Sequence, residues 1–209
     1  MKKSVLSCLL AAVLLFGIAG CGNSSGPDIP PPAYTPNPAS DFTYEITGDK
    51  VTITSYTGES GLMAVPSAID GKEVTELAAS AFNKNKIITE VLLPDSITVI
   101  ADSCFMACSN LARITLPPGL TRIEAGAFGG CALEEVEFPE TLEFLDFACF
   151  YYNEELTAAI FNGDAPEIGE TGWVFSNCGS DFTVYYHPDK NGWADKWQGY
   201  NALPISEKP

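Results

Sequence analysis

Phenylalanine and proline recur along the middle of the chain at a nearly constant interval. Phe82, Phe105, Phe128 and Phe150 are separated by 23, 23 and 22 positions. Each interval also holds small residues and Ile or Leu at fixed offsets, and alternating apolar residues lead up to a proline. These prolines are Pro94, Pro117 and Pro139. A period of about 20–50 residues is the sequence signature of a solenoid in which each unit forms one rung.

One complete unit shows which elements the pattern predicts. Leu111, Ile114 and Leu116 are expected on a short strand and the turn before it, because alternate residues of a strand point to opposite faces. Phe105 should end a short helical or 3₁₀ turn on the opposite side. Pro117 cannot donate to a strand ladder, so it marks where the strand stops. No unit buries its apolar face alone, but stacked units bury a continuous core.

The repeated pattern over residues 64–178 resembles the BspA-type leucine-rich repeats of bacterial surface proteins. The resemblance implies an α/β repeat fold, a right-handed solenoid with a short parallel β-sheet on its concave side. It also implies surface display and binding of host proteins, glycans or other cells, without naming a ligand. Residues 68–74 resemble the usual start of such an array, and residues 161–166 and 185–188 resemble its usual end.

Both ends of the array need caps, because terminal rungs would expose apolar faces and strand edges. Residues 41–63 predict an N-terminal β-hairpin cap, with alternating apolar residues on either side of a turn at Gly48-Asp49-Lys50. Residues 179–209 predict a C-terminal cap that is rich in aromatic side chains. These are Tyr185, Tyr186, Trp193, Trp197 and Tyr200.

The first 40 residues are typical of an exported lipoprotein. Residues 1–20 combine a basic start with an apolar run that is too short to span a bilayer, as in a signal peptide. Ile18-Ala19-Gly20-Cys21 resembles a bacterial lipobox, which implies lipidation of the Cys21 sulfur and cleavage before it. Residues 21–40 are rich in proline and serine, so they are expected to form an extended tether. The expected location is the cell envelope, lipid-anchored and facing outward.

The charge of the chain restricts its partners. The net charge is −16, and loss of a leader that carries Lys2 and Lys3 and no acids would take it to −18. Nucleic acids and anionic lipid surfaces require basic patches, so neither is an expected partner. Contact with the membrane is expected through the N-terminal lipid only. The expected partner is an extracellular protein or glycan.

The repeat phase of the cysteines favours a structural role. Cys108, Cys131 and Cys178 lie three positions after a phenylalanine or its equivalent, where other units carry asparagine. Cys104 and Cys149 directly precede a phenylalanine, where other units carry alanine. Small buried residues fit both places, so no metal and no cofactor are expected. A disulfide between Cys108 and Cys131 stays open, because equal-phase residues on adjacent rungs lie about 4.8 Å apart.

Catalytic chemistry has few candidates in this sequence. His187 is the only histidine, and it lies in a segment that is better explained as part of the cap. The rival to a binding function is a carboxylate-based, glycan-processing enzyme, and a passive structural spacer is a third possibility. The acidic residues that such an enzyme would draw on are Glu134, Glu135, Glu137, Glu140, Glu143 and Asp146. A run of acids on a strand and its loop more often forms a solvated face, so no catalytic residue is predicted.

The outward positions of the strands form the predicted binding face, because inward positions are fixed by the core. One column of outward residues is Glu90, Arg113, Glu135 and Ala158. The other column is Leu92, Thr115, Glu137 and Ile160. A competing aromatic site would use Trp173, Tyr185, Trp193 and Trp197. The sequence therefore predicts a surface-anchored binding or adhesion module.

Overall fold

The computed structural model describes residues 34–169 and 172–209. The predicted signal peptide (residues 1–20), the lipidation site Cys21 and most of the tether (residues 21–40) lie outside the described residues. Within those residues, no helix is both long and apolar enough to cross a membrane. Two short 3₁₀ helices cover Ala39–Asp41 and Ile205–Glu207. The strands are β1 (Phe42–Thr47), β2 (Lys50–Tyr56), β3 (Leu62–Ala64), β4 (Ala68–Ile69), β5 (Lys72–Leu77), β6 (Glu90–Leu92), β7 (Val99–Ile100), β8 (Arg113–Thr115), β9 (Arg122–Ile123), β10 (Glu135–Phe138), β11 (Phe144–Leu145), β12 (Ala158–Phe161), β13 (Glu167–Ile168), β14 (Thr183–Tyr186), β15 (Lys196–Trp197) and β16 (Tyr200–Pro204).

Successive rungs build two parallel sheets, here called the front sheet and the back sheet. The front sheet runs β3-β6-β8 and then β10-β12-β14-β16, and the back sheet runs β7-β9-β11-β13. The ladder is interrupted between β8 and β10, but the N–H groups of Ala132 and Glu134 still donate to the carbonyls of Leu111 and Ala112 at 3.0 and 3.3 Å. The prolines lie in the turns that leave β6, β8 and β10. The predicted solenoid of parallel strands is confirmed.

The third side of each rung, here called the turn edge, consists of hydrogen-bonded turns around the repeating phenylalanines. The N–H groups of Ser103, Phe105 and Ala107 donate to carbonyls of the next rung at 2.9, 2.7 and 2.7 Å. Ser103 and Ala107 adopt left-handed backbone, with φ of 54° and 59°. Because an α-helix needs consecutive right-handed residues, these two left-handed residues limit each predicted helical turn to an isolated turn. No α-helix occurs in residues 34–169 or 172–209.

A column of phenylalanine rings fills the centre of the solenoid. The rings of Phe82 and Phe105, Phe105 and Phe128, and Phe128 and Phe150 stack with centroids 4.9, 5.2 and 5.1 Å apart. Phe175 continues the column at 5.4 Å from Phe150. All five side chains are buried. The predicted register of the repeat is therefore confirmed, and residue 175 belongs to the same series.

The N-terminal cap is the predicted hairpin. β1 pairs antiparallel with β2, and β2 pairs in parallel with β5, which precedes the back sheet. Phe42, Val51, Ile53 and Tyr56 are buried and join the main core. The hairpin thereby covers the apolar end of the first rung, as a terminal cap must.

The C-terminal cap combines the predicted aromatic cluster with further rungs. Trp193 stacks on Tyr186 with centroids 5.3 Å apart and 10° between the planes, and it lies 5.0 Å from Phe161. The Nε1 of Trp193 donates to the carbonyl of Gly163 at 3.1 Å. β14 and β16 also extend the front sheet in parallel. The ladder of the front sheet therefore continues past residue 178, into the segment predicted as cap.

In the rungs of Phe105, Phe128 and Phe150, the side chain three residues after the phenylalanine donates to a buried backbone carbonyl. The Sγ of Cys108 donates to the carbonyl of Phe82 at 3.0 Å, and the Sγ of Cys131 donates to that of Phe105 at 3.2 Å. Asn153, which is fully buried, donates through Nδ2 to the carbonyl of Phe128 at 2.8 Å. The predicted role of this position is confirmed. The five described cysteines are free thiols, and the thiols of Cys108 and Cys131 each point at a carbonyl rather than at one another.

Truncation in the phenylalanine column should be strongly destabilising. We expect Phe105→Ala to lower the free energy of unfolding by about 3–5 kcal/mol, because it leaves a cavity between two stacked rings. Chemical denaturation monitored by circular dichroism measures this loss. Met106→Ala is the matched control, because Met106 is the next residue and is 44% exposed; it should change stability by less than about 0.5 kcal/mol. Equal losses for the two variants would contradict the proposed core.

The thiols of the solenoid should resist labelling in the native protein. Burial raises the pKa of Cys108 to about 11 and raises the pKa values of Cys104, Cys131 and Cys149 well above the ordinary value. Because the thiolate is the reactive form, a disulfide reagent at pH 8 should modify these four slowly, and quickly only after denaturation. Peptide mass spectrometry assigns the rates. Rapid native labelling of several of them would contradict the burial.

The same shift predicts how stability depends on pH. A thiol whose pKa is higher in the folded state keeps its proton there after the unfolded chain has lost it, so its contribution to stability is intact below pH 9 and declines as the pH rises towards 11. We expect Cys108→Ala to reduce the slope of stability against pH in this interval. An unchanged slope would show that Cys108 does not titrate in this way.

Candidate functional site

The two predicted outward columns run across the front sheet in register. Pairing of β6 with β8 places Glu90 beside Arg113, and Leu92 beside Thr115. Pairing of β10 with β12 places Glu135 beside Ala158, and Glu137 beside Ile160. The residues between them, Val91, Val136 and Ala159, are buried in the core. The register therefore puts all eight predicted residues on the outer face of the sheet.

The outward side chains of β6, β8 and β10 form what we call the open half of the front face. Its residues are Glu90, Leu92, Arg113, Thr115, Glu135 and Glu137. Arg113, Thr115, Glu135 and Glu137 are exposed, and Glu90 and Leu92 are half-buried. The Nη2 of Arg113 lies 3.2 Å from Oε2 of Glu90, and the Arg113 side chain is 64% exposed. An exposed ion pair contributes at most about 1 kcal/mol, so the guanidinium stays available to a ligand.

Ala158 and Ile160 are predicted from the sequence as accessible binding residues, and this prediction is wrong. Both are buried, at 5% and 7% exposure, in an outer apolar cluster with Tyr185. Leu203 and Ile205, from the C-terminal segment, pack against this cluster. The reason is that β14 and β16 extend the front sheet beside β12, so apolar outward residues of neighbouring strands cover one another.

The C-terminal segment also reaches the border of the open half. The Nζ of Lys208 lies 2.8 Å from Oε2 of Glu135, although the two residues are far apart in sequence. This ion pair holds the end of the segment across β12, next to β10. Glu135 thus remains exposed but is no longer an isolated carboxylate.

A pocket of about 790 Å³ with a mixed apolar and polar lining opens at the proline end of the open half. Thr115 and Glu137 line it from the front sheet. The Nδ2 of Asn162 donates to Oε1 of Glu137 at 2.8 Å, and the Nε2 of His187 lies 3.1 Å from Oδ1 of Asn162. Because an amide oxygen only accepts, Nε2 of His187 is the donor in this pair. We call this the proline-end pocket.

Lys190 brings a positive charge to the same pocket. Its Nζ lies 3.2 Å from Oε1 of Glu140, and both residues line the pocket. The wall therefore mixes carboxylates, an ammonium group, an imidazole and a hydroxyl. Such a set offers both hydrogen-bond donors and acceptors, which is the usual way in which a site orients a polar ligand.

Two of the acidic residues in this region have partners in the structure. Glu137 is exposed and accepts a hydrogen bond from Asn162, and Glu140 is exposed and pairs with Lys190. Across the part of the chain that the structure describes, no cluster of three or more His, Cys, Asp or Glu side chains is placed to hold a metal.

The competing aromatic group does not form one site. Trp197 and Tyr185 are buried, and Trp193 is half-buried against Phe161 in the cap. Trp173 is instead 61% exposed on the turn edge, where its ring lies 6.4 Å from that of Phe147. Three of the four aromatics are therefore structural, and only Trp173 is presented to solvent.

Sequence reasoning misses the part of the pocket that comes from the C-terminal segment. It places His187 and Lys190 in a cap, and Asn162 at the end of the array. The parallel pairing of β12 with β14 brings these residues beside β10, and the repeat gives no signal for that pairing beyond residue 178. The sequence signal that could have found it is the apolar run Val184-Tyr185-Tyr186, which has the length of one more strand.

Comparison with known proteins agrees with this architecture. A leucine-rich repeat protein of T. pallidum, with a solved structure, is 31% identical and superimposes with a TM-score of 0.66, covering 72% of this chain and 71% of its own. A leucine-rich repeat protein from Bacteroides capillosus is 28% identical with a TM-score of 0.53, covering 59% of this chain and 95% of its own. No curated protein matches this sequence. A family model for the BspA type leucine rich repeat region matches residues 73–189 in six copies, and the chain therefore belongs to the BspA-type leucine-rich-repeat family.

Proposed function

We propose that this protein is an exported cell-surface lipoprotein whose solenoid binds an extracellular protein or glycan through the open half of the front face. The observation that supports this most is the contrast between the two halves of one sheet. Apolar outward residues on β12 and β14 are covered, whereas the polar outward residues on β8 and β10 are left exposed beside a pocket of mixed lining. The sheet fixes the backbone positions of these side chains before binding, so a ligand does not have to order the backbone.

The composition of the open half fits a protein partner or a polar glycan. Arg113 offers a planar set of donors that pairs with carboxylates, and Glu135 and Glu137 offer acceptors. Leu92 adds an apolar contact at the edge of the same column. Arginine is also among the residues that are enriched in protein interfaces.

Binding is favoured over the two alternatives, catalysis and a passive spacer. Against catalysis, the carboxylates near the proline-end pocket are solvated and paired. Against a spacer, His187, Asn162 and Glu137 form a hydrogen-bonded set that lines a pocket open to a ligand. A solenoid with a rigid polar face serves recognition better than either alternative.

Anchoring by lipid on Cys21 completes the proposal. Loss of the leader would leave the tether of residues 21–40 between the lipid and the solenoid. An extended proline-rich tether spans about 3.1 Å per residue, so it would hold the front face tens of ångströms from the membrane. A binding face displayed at this distance can meet a soluble or cell-bound partner.

A combined variant tests the front face. We expect simultaneous alanine substitution of four residues to abolish binding to a ligand first identified on matrix-protein and glycan arrays. These residues are Arg113, Thr115, Glu135 and Glu137. Four exposed residues of matching charge and polarity elsewhere on the solenoid give a control with the same change in charge. The control residues are Lys196, Thr98, Glu154 and Glu155. If the front-face variant binds as well as the parent protein does, this part of the proposal is wrong.

Anchoring has a separate test. We expect Cys21→Ser to release the protein from the membrane fraction of a bacterial host or to leave it unprocessed, because the acceptor sulfur is lost. Intact-mass analysis of the parent protein should show a chain that starts at Cys21 and carries acyl groups. A mature chain that starts elsewhere without acyl mass would contradict the anchor and leave the binding proposal untouched.

A further inference from the structure

A second exposed surface lies on the turn edge, away from the front face. It is an open, mainly apolar groove of about 710 Å³ that is lined by residues of four rungs. Met106, Phe147, Tyr152 and Trp173 border it, and each is between 43% and 61% exposed. A contiguous set of exposed large apolar side chains is uncommon on a soluble domain and marks a contact surface. We call this the turn-edge groove.

The groove exists because one rung lacks side chains on this edge. Gly126, Gly129 and Gly130 occupy positions where the preceding rung has Ser103, Met106 and Ala107. The following rung has Ala148, Tyr151 and Tyr152 in the same places. Gly126 and Gly130 have φ of 61° and 68°, the left-handed backbone that neighbouring rungs adopt with larger residues. The left-handed backbone alone therefore does not require glycine at these positions. The missing side chains leave a depression between the side chains of the preceding rung and those of the following rung.

The backbone at the base of the groove has no unpaired edge to which a peptide strand could add. The N–H groups of Gly126 and Gly130 donate to the carbonyls of Phe147 and Tyr151 at 3.0 and 2.7 Å, and the N–H of Ala107 donates to the carbonyl of Gly129 at 2.7 Å. Addition of an extended strand needs unpaired N–H and C=O groups. An occupant of this groove must therefore bind through flat contacts with the rings and through its own polar rim.

The polar groups at the rim identify the chemistry of that occupant. Asp102 is the one charged residue that lines the groove, and its side chain is exposed. Ser103, Tyr151 and Tyr152 add hydroxyl groups. The carboxylate can accept hydrogen bonds in place of those from water, and the hydroxyls of a pyranose supply such donors, whereas a proline-rich peptide offers mainly carbonyl acceptors. The aromatic rings match the apolar C–H faces of a pyranose, because rings of this kind combine an apolar body with a polar edge.

We propose that the turn-edge groove is a binding site for a neutral oligosaccharide. Trp173, Phe147 and Tyr152 stack against the sugar rings, and Asp102 accepts a hydrogen bond from a sugar hydroxyl. The glycine floor allows the chain of sugars to lie across the rungs. This site is separate from the front face, so the protein presents two recognition surfaces on different sides of one solenoid.

Titration of the full chain with five hexasaccharides tests the proposal. The probes are maltohexaose, cellohexaose, xylohexaose, laminarihexaose and chitohexaose. We expect at least one of them to bind in calorimetry and to protect tryptophan fluorescence from acrylamide, because Trp173 is far more exposed than Trp197. Trp173→Ala and Tyr152→Ala should each weaken binding about tenfold, and Asp102→Asn should weaken it several-fold. Binding should not depend on salt, since no ion pair forms.

Two controls distinguish binding in the turn-edge groove from binding elsewhere on the solenoid. Ile87→Ala removes an equally exposed apolar side chain outside the groove, and it should bind like the parent protein, as should the four-residue front-face variant. If none of the five probes binds, or if binding is insensitive to Trp173→Ala, the proposal is wrong. A second result would also overturn the proposal. If a synthetic peptide of residues 27–38 binds the groove and Asp102→Asn leaves that binding unchanged, the occupant is a proline-rich chain.

Discussion

The stacking of equivalent residues on successive rungs is the constraint on which this structure depends. Strands of a sheet lie about 4.8 Å apart, and the phenylalanine rings on the opposite side of the core repeat at 4.9 to 5.2 Å. The strand spacing and the ring spacing are nearly equal. Each added rung therefore contributes a front strand, a back strand and a phenylalanine ring whose spacings match. Because each rung buries its apolar face only against its neighbours, the fold gains stability by addition of rungs and needs a cap wherever the addition stops.

The tight turns of the solenoid create a second requirement, which explains the cysteines. Each turn buries the carbonyl of a phenylalanine, and an unpaired buried carbonyl would cost about 1–3 kcal/mol. Cys108, Cys131 and Asn153 each supply a donor to such a carbonyl from the following rung. A thiol is a weaker donor than an amide, but it loses less on burial. Both residue types therefore serve at this position, and the hydrogen bond to the carbonyl explains why cysteine recurs there.

The sequence predicted those features that the repeat itself determines. The phases of Phe105 and Cys131, the front strands and the hairpin at residues 41–63 all follow from local pattern and from the need to bury each rung. The accessibility of Ala158 and Ile160 did not follow, because it depends on Leu203 and Ile205, which no repeat connects to them. A short helical or 3₁₀ turn was expected at each phenylalanine, and left-handed residues four positions apart, such as Ser103 and Ala107, limit it to an isolated turn. Pattern determines which side of a strand faces outward, whereas coverage of that side depends on contacts between distant segments.

Outward apolar residues are covered on the front sheet and exposed on the turn edge. This difference distinguishes structural surface from functional surface. On the front sheet, Ile160 and Tyr185 are apolar and outward, and the chain covers them with its own C-terminal segment. On the turn edge, Phe147 and Trp173 are equally apolar, and no segment in residues 34–169 or 172–209 covers them. Leaving large apolar side chains in water forgoes about 1.5–3 kcal/mol for each one that could have been buried. The chain buries the apolar set on the front sheet and exposes the apolar set on the turn edge, beside the rung that carries Gly126, Gly129 and Gly130. We infer that the exposed set is retained for contact with a molecule outside the fold.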